Sequence, residues 1–186
     1  SKQKLHNNEP WSAGDTLQSA IGQYDNEFSP IQMARYISML ANGGHKIDPT
    51  IIKTIRNADG SETSREEINK FVNSKLGIED DNSEEININQ NYLNAVLEGM
   101  KSVTSDSGGT AYVRFKDFNI SVGGKTGSAE AAGNKVHAWF VGFAPFENPE
   151  IAIVVMVENG GHGNYTAEVV RDIMAEYFGM NTQNVE

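Results

Sequence analysis

The chain has 186 residues, 38% of them hydrophobic and 22% charged, with a formal net charge of −10 and no cysteine. That length supports one sizeable core rather than two, and the acidity excludes a surface for nucleic acid or anionic lipid, because no basic stripe offsets phosphate repulsion. The missing cysteines exclude disulfides, thiol catalysis and thiolate metal sites.

No run reaches membrane-spanning length, and the polar start from Ser1 to Glu9 does not read as a signal peptide, so any leader or anchor is expected outside this chain. Trp11-Ser12-Ala13-Gly14-Asp15-Thr16 predicts a turn feeding a short helix through Leu17 to Ile21, followed by Gly22-Gln23. A clearer helix comes next. Ser29 is its N-cap, Pro30 suits the first helical position, and Gln32 completes a capping box. Ile31, Ala34, Ile37 and Leu40 share one face, and Asn42-Gly43-Gly44 ends it. Ile51 to Ile55 reads as a strand, with Ala58-Asp59-Gly60 as the turn after it. Ile68, Phe71, Val72 and Leu76 mark an amphipathic helix, and the acidic, amide-rich run from Glu79 to Asn91 a solvated loop. Tyr92, Leu93, Val96, Leu97 and Met100 predict another helix, and Ser105 to Gly109 a flexible connection.

The remainder predicts strands at Ile120 to Gly127, Val136 to Phe143 and Ile151 to Val157, linked by a hairpin loop at Ala131 to Asn134 and a turn at Pro145 to Pro149. A last helix carries Val169, Val170, Ile173, Met174, Tyr177 and Phe178 on its apolar face and ends at Gly179. The fold class is α/β in the α+β sense: an antiparallel three-stranded meander covered by helices. The third strand is almost wholly apolar, which implies burial on both faces and a central position with a neighbour on its far side. Within this chain that leaves a pairing-prone edge, to be satisfied by dimerisation, by another fragment or by rearrangement. A meander is also expected to put the Pro145 to Pro149 turn at the end away from Lys125, and to bring Glu158 to Gly161 back at the Lys125 end.

Gly123-Gly124-Lys125-Thr126-Gly127-Ser128 invites two readings. A phosphate-binding P-loop requires a glycine where Asn119 stands, and must open a helix, whereas Ala129 to Phe140 reads as a loop returning into a strand. The pattern fails on both counts. The other reading is the Lys-Thr-Gly strand of penicillin-recognising serine acyltransferases. On that strand a peptide ending in a carboxylate can pair main chain to main chain along an open edge. Lys125 offers positive potential to the carboxylate and the proton-transfer network. Thr126 and Ser128 offer hydroxyls to the carboxylate, and Gly127 keeps the surface low. The Ser128 backbone N–H is placed to be half of an oxyanion hole.

Three letters alone carry little weight; their surroundings carry more. Trp11-Ser12-Ala13-Gly14-Asp15, Ala20-Ile21-Gly22-Gln23, Ser29-Pro30-Ile31-Gln32-Met33-Ala34, Ala41-Asn42-Gly43-Gly44, Gly109-Thr110-Ala111, the Lys125 motif and His137-Ala138-Trp139-Phe140-Val141-Gly142-Phe143-Ala144-Pro145 occur in this order. The series resembles the landmarks of class B penicillin-binding proteins over nearly the whole chain. The resemblance implies a D,D-transpeptidase that cross-links peptidoglycan stem peptides ending in D-Ala-D-Ala and is acylated by β-lactams. It also implies work at the extracytoplasmic face of the bacterial membrane. It departs in two places. Ser128 stands where the family commonly has threonine, which keeps the hydroxyl but loses the methyl that stiffens the rotamer. The stretch from Ser61 to Asn91 is longer than the family usually needs.

The family's mechanism also requires a nucleophilic serine in Ser-x-x-Lys and a Ser-x-Asn loop. No Ser-x-Asn occurs, and the only Ser-x-x-Lys is Ser1 to Lys4, ahead of landmarks that should follow the second motif. Residues 1–186 are therefore expected to be the C-terminal part of one transpeptidase domain, needing the rest of that domain for activity and carrying no nucleophile of their own. Two other tasks fit the same fold: a β-lactam sensor or serine β-lactamase relative, and a non-catalytic peptide-binding module. His137, His162 and His45 read as structural or loop residues; no histidine spacing supports a metal, and no cofactor is expected.

Overall fold

The computed structural model describes residues 10–23, 26–77, 86, 88–131 and 133–180; Ser1 to Lys4 and most of Glu79 to Asn87 lie outside them. Helix α1, Ala13–Ala20, opens on a reciprocal capping box between Ser12 and Asp15, and the Trp11 indole N–H donates to the Thr16 hydroxyl at 2.8 Å. Helix α2, Pro30–Ala41, has the capping box expected of Ser29 and Gln32. Helix α3, Arg65–Leu76, begins on a third box, Ser64 with Glu67, and ends at left-handed Gly77. These boxes satisfy amide donors that a helix start leaves orphaned. Helix α4 spans Gln90–Ser105, and the one-turn α5 Tyr112–Phe115.

Strands β1 (Gly123–Ala131), β2 (Lys135–Ala144) and β3 (Ile151–Val157) form the expected antiparallel meander in the order β1-β2-β3, and helix α6, Asn164–Tyr177, follows. Left-handed Gly133 and Asn134 turn the β1–β2 hairpin. Because cross-strand partners and alternate residues share a face, the register sorts the two cores. Phe140, Ala144, Ile151, Ile153 and Val155 face α5 and α6, packing with Phe115, Val170 and Met174. Val141, Phe143, Ala152 and Val154 face α2 and α4, packing with Ile37, Leu40, Leu93 and Met100. Phe140 stacks on Phe115 with centroids 5.7 Å apart. Phe140 and Phe143 each lie across a glycine of β1. A Cβ at Gly123 would stand 2.5 Å from the Phe143 ring, and one at Gly124 would enter the Phe140 ring. The glycine pair that weakens β1 as a strand is thus the room its neighbour's aromatics require.

Three expectations need correction. Residues 51–55 form no strand: Ile51 is fully exposed, no strand lies alongside among the described residues, and a single bridge, Arg56 to Glu62, follows. A β-rich run without a partner has nothing to pair with. The Ser105 to Gly109 connection is pinned rather than loose. Gly109 N–H donates to Asp106 O at 2.7 Å and Ala111 N–H to Val103 O at 3.0 Å, closing the end of α4. Strand β3 is the edge of the described sheet that was expected within this chain. Its apolar run is explained by helices on both faces, α6 on one and α2 on the other. Finally, Lys125 pairs with Val141, close to the Pro145 turn, and it is Ser128, opposite Ala138, that stands level with the end of β3 at Val157.

Candidate functional site

The outer edge of β1 has a definite polarity. A Cβ built on Gly163, in the loop before α6, would lie 2.6 Å from Trp139 O, 2.7 Å from Gly127 O and 3.1 Å from Gly127 N. Those three atoms converge on one spot only if Gly127 and its partner Trp139 exchange both ladder hydrogen bonds. Thr126 and Ser128, one place to either side, therefore turn their N–H and C=O groups away from β2, onto the open edge. Two side chains agree with this parity. The Lys125 ammonium donates to Thr126 O at 2.7 Å, and the Gln23 side-chain amide donates to Ser128 O at 2.9 Å.

On the α5/α6 face the Thr126 hydroxyl lies 2.8 Å from the Thr110 hydroxyl. A hydroxyl has one proton to give. If Thr110 donates to Thr126, the Thr126 proton is free for a ligand; Thr110 is therefore a neighbour that can set the direction of that donor. Lys125 lies on the other face, exposed, at the rim of a depression of about 500 Å³ that it shares with Ser102, Val103, Asp106, Gly108, Gly109 and Thr110.

The end of α4 that lines this depression is fastened to the sheet. Buried Thr104 donates to Val122 O, just ahead of β1. Lys101 donates to Glu147 at 3.1 Å and lies 4.5 Å over the Phe146 ring, so the Pro145 turn holds the same end of α4. Glu147 also accepts from the Ser121 hydroxyl. That bond, then the one from Lys101, holds its carboxyl below the usual carboxylate range.

The four motif residues thus lie together on one accessible strand, with Lys125 on one face and Thr126 and Ser128 on the other. Gly127 differs in detail from its expected part. A Cβ there would press on Trp139 Cβ at 3.1 Å, while the close approach the structure does show is that of Gly163 over the Gly127–Trp139 pair. His137 accepts the Asn159 N–H on Nδ1 at 3.1 Å and so anchors the turn after β3, while His45 closes a turn with Asn42. Among the described residues no group of three histidine, aspartate or glutamate side chains could hold a metal. Gln23 and Thr110 carried no role in sequence reading beyond membership of family landmarks. Their sequence distance from Ser128 and Thr126 left no local signal.

The family described as the penicillin-binding protein transpeptidase domain matches residues 2–175. The chain belongs to that family. It is 30% identical over 201 residues to the peptidoglycan D,D-transpeptidase MrdA of Haemophilus influenzae, covering 100% of this chain and 29% of that protein. With penicillin-binding protein H of Bacillus subtilis it shares 36% identity over 154 residues, 77% of this chain and 20% of the relative. Among solved structures it resembles Pseudomonas aeruginosa PBP2 in complex with WCK 5153, with a TM-score of 0.75 and 33% identity, covering 95% of this chain and 36% of the other. The chain therefore spans under a third of the length of these two curated relatives. Membership accounts for the meander and for the ordered landmarks together.

Proposed function

We propose that the chain is the substrate-aligning part of a peptidoglycan D,D-transpeptidase. In the intact protein a serine outside residues 1–186 attacks the D-Ala-D-Ala carbonyl, and β-lactams acylate that same serine. The observation that carries this reading is the edge polarity of β1. The Ser128 N–H points onto the open edge beside the exposed Lys125 and the Thr126 hydroxyl. A peptide lying on that edge meets an N–H donor where an acyl oxygen develops charge, and hydroxyls with an ammonium nearby for its terminal carboxylate. Preorganised donors of this kind act by binding the transition state more tightly than the ground state.

The roles follow residue by residue. Lys125 supplies positive potential to the carboxylate and to the proton network. Thr126 and Ser128 hold the carboxylate through their hydroxyls, and the Ser128 N–H forms half of the oxyanion hole. The other half comes with the nucleophile. Work at the extracytoplasmic membrane face, with the anchor carried outside this chain, completes the proposal; among the described residues no helix is long and apolar enough to cross a membrane.

Three measurements test it. A peptide ending in D-Ala-D-Ala should shift the amide signals of Thr126 to Ser128 in this chain, whereas penicillin should leave its intact mass unchanged. A stoichiometric serine adduct on residues 1–186 overturns the assignment of the nucleophile elsewhere. In the full-length protein Lys125→Ala should slow penicillin acylation by about a hundredfold or more, as loss of a transition-state charge partner does; unaltered reactivity sinks the role of Lys125.

A further inference from the structure

The turn after β3 is fastened to β2 at two neighbouring residues. Asn159 takes a left-handed φ of 56° and aims its N–H at His137 Nδ1, 3.1 Å away, while Gly161 N–H donates to Val136 O at 3.1 Å. Further on, Gly163 presses on the Gly127–Trp139 pair so closely that a Cβ there would stand 2.6 Å from Trp139 O. From the other side the Thr166 hydroxyl of α6 donates to Gly163 O at 2.7 Å. The loop is therefore a strap. It is held by α6 at one end and by His137 and Val136 at the other, with the motif strand under it.

The two fastenings on β2 differ in kind. A backbone carbonyl such as Val136 O accepts at any pH. His137 Nδ1 accepts only while it carries no proton, so its bond to Asn159 is made by the neutral imidazole with its proton on Nε2. Imidazole side chains take up a second proton near about pH 6.5. That proton turns Nδ1 into a donor facing the Asn159 N–H, so the bond is present above this range and lost as pH falls through it. The titratable groups around His137 are Lys135, two residues back on the same face of β2, Glu158 in the turn and His162 in the loop, all exposed. Strand β1 sets uncharged Ala129 opposite, and Glu130 beside it turns to the other face. Helices α2 and α4 pack farther along β2, at Val141 and Phe143.

We propose that His137 is a positioning residue for the motif strand. Its neutral Nδ1 fastens the strap that seats Gly163 on Gly127, and protonation unfastens it, so acyl transfer on this strand slows on acidification through His137. The link to acyl transfer rests on the functional reading above; the fastening does not. Two variants of nearly equal shape isolate the acceptor, both made in the full-length protein that carries residues 1–186. His137→Asn places Oδ1 where Nδ1 stands and has nothing to titrate, and His137→Leu places a methyl group there.

Hydrogen exchange over residues 158–163 at about pH 7.5 reads the fastening alone. The Leu variant should exchange about fivefold faster than wild type, the effect of one lost hydrogen bond, and the Asn variant at the wild-type rate. Penicillin acylation at about pH 7.5 and about pH 5.5, on either side of the histidine range, reads the consequence. Between the two, the wild type should lose about fivefold more rate than the Asn variant. The Leu variant should start about fivefold slower and fall in parallel with Asn. Titration of the nucleophile's own groups is common to all three and cancels. Equal protection of the loop in wild type and the Leu variant overturns the fastening, and coincident pH profiles of wild type and the Asn variant overturn its control of the reaction. If loop protection follows the expected order yet penicillin acylates no form at either pH, the strap stands and the transpeptidase reading falls.

Discussion

The sheet has two edges of opposite character. Strand β1 is rich in glycine and hydroxyl residues and exposed at Lys125, and two of its outward carbonyls, Thr126 and Ser128, each receive a side-chain donor. Strand β3 is Ile-Ala-Ile-Val-Val-Met-Val, half-buried along most of its length, and none of its carbonyls receives a side chain among the described residues. Trp139 gives its ladder bonds to Gly127, so its β3 partner Met156 turns its backbone outward, and Ala152 and Val154 share that parity. One edge carries the polar motif with side chains on its carbonyls, and the other an apolar run with none among the described residues. The difference teaches that two edges of one sheet can differ in the side chains that reach their backbone groups as much as in their own composition.

The contrast between the edges can be broken at several points. Phe140, on the central strand, is fully buried against Phe115 and roofed by Gly124. Phe140→Ala should cost about 3–5 kcal/mol in urea denaturation and so disable both edges at once. Gly163→Ala acts on the β1 side alone. Its methyl meets backbone atoms, which cannot rotate away, and a loss of about 3 kcal/mol is expected. A change under about half a kilocalorie per mole, the range of a neutral surface substitution, would mean that the Gly163 loop does not hold the Gly127–Trp139 pair.

The β3 edge predicts association. Sedimentation at rising concentration should show self-association, and Met156→Lys, a charge placed on that edge, should weaken it by about tenfold, or ~1.4 kcal/mol. A strictly monomeric wild type with an ordered β3 would count against the contrast drawn between the edges. Thr110→Val sharpens the other side. It removes the hydroxyl beside Thr126 while keeping the shape, so it should cost about 1 kcal/mol of stability or less and weaken carboxylate binding about fivefold. Unaltered binding would show that Thr126 needs no partner to aim its proton.

The smallest effect concerns pH. The Glu147 carboxyl binds its proton less readily in the folded chain than in the unfolded one, because Ser121 and Lys101 donate to the carboxylate. Its contribution is therefore present at neutral pH and lost as pH falls from the ordinary carboxylate range through the lower folded value. Between about pH 7 and pH 3 the thermal midpoint of the wild type should drop slightly further than that of Glu147→Gln. Parallel curves would mean that the fastening of α4 to the Pro145 turn does not depend on this charge.

Much of the architecture was legible from local rules. Ser29, Pro30 and Gln32 announced a helix start, and three apolar runs separated by turn residues announced the meander. The motif residues were legible as a strand because Lys125 to Ser128 cannot serve a P-loop. Failures came where a local signal had no tertiary partner or an unforeseen one. Ile51 to Ile55 has strand chemistry and no neighbouring strand among the described residues. The glycines and serines of Ser105 to Gly109 suggested slack, yet Gly109 packs directly on the carbonyls that end α4.

By itself the sequence determined the family, the elements and the identity of the Lys125-Thr126-Gly127-Ser128 strand, because helix caps, alternation and motif order act through neighbours along the chain. Only the tertiary structure decided which way that strand's backbone groups face. Parity depends on which residue of β2 stands opposite, and register is a property of two segments together. The same holds for Gln23 and Thr110, whose hydrogen bonds to Ser128 and Thr126 exist only once distant segments are packed side by side.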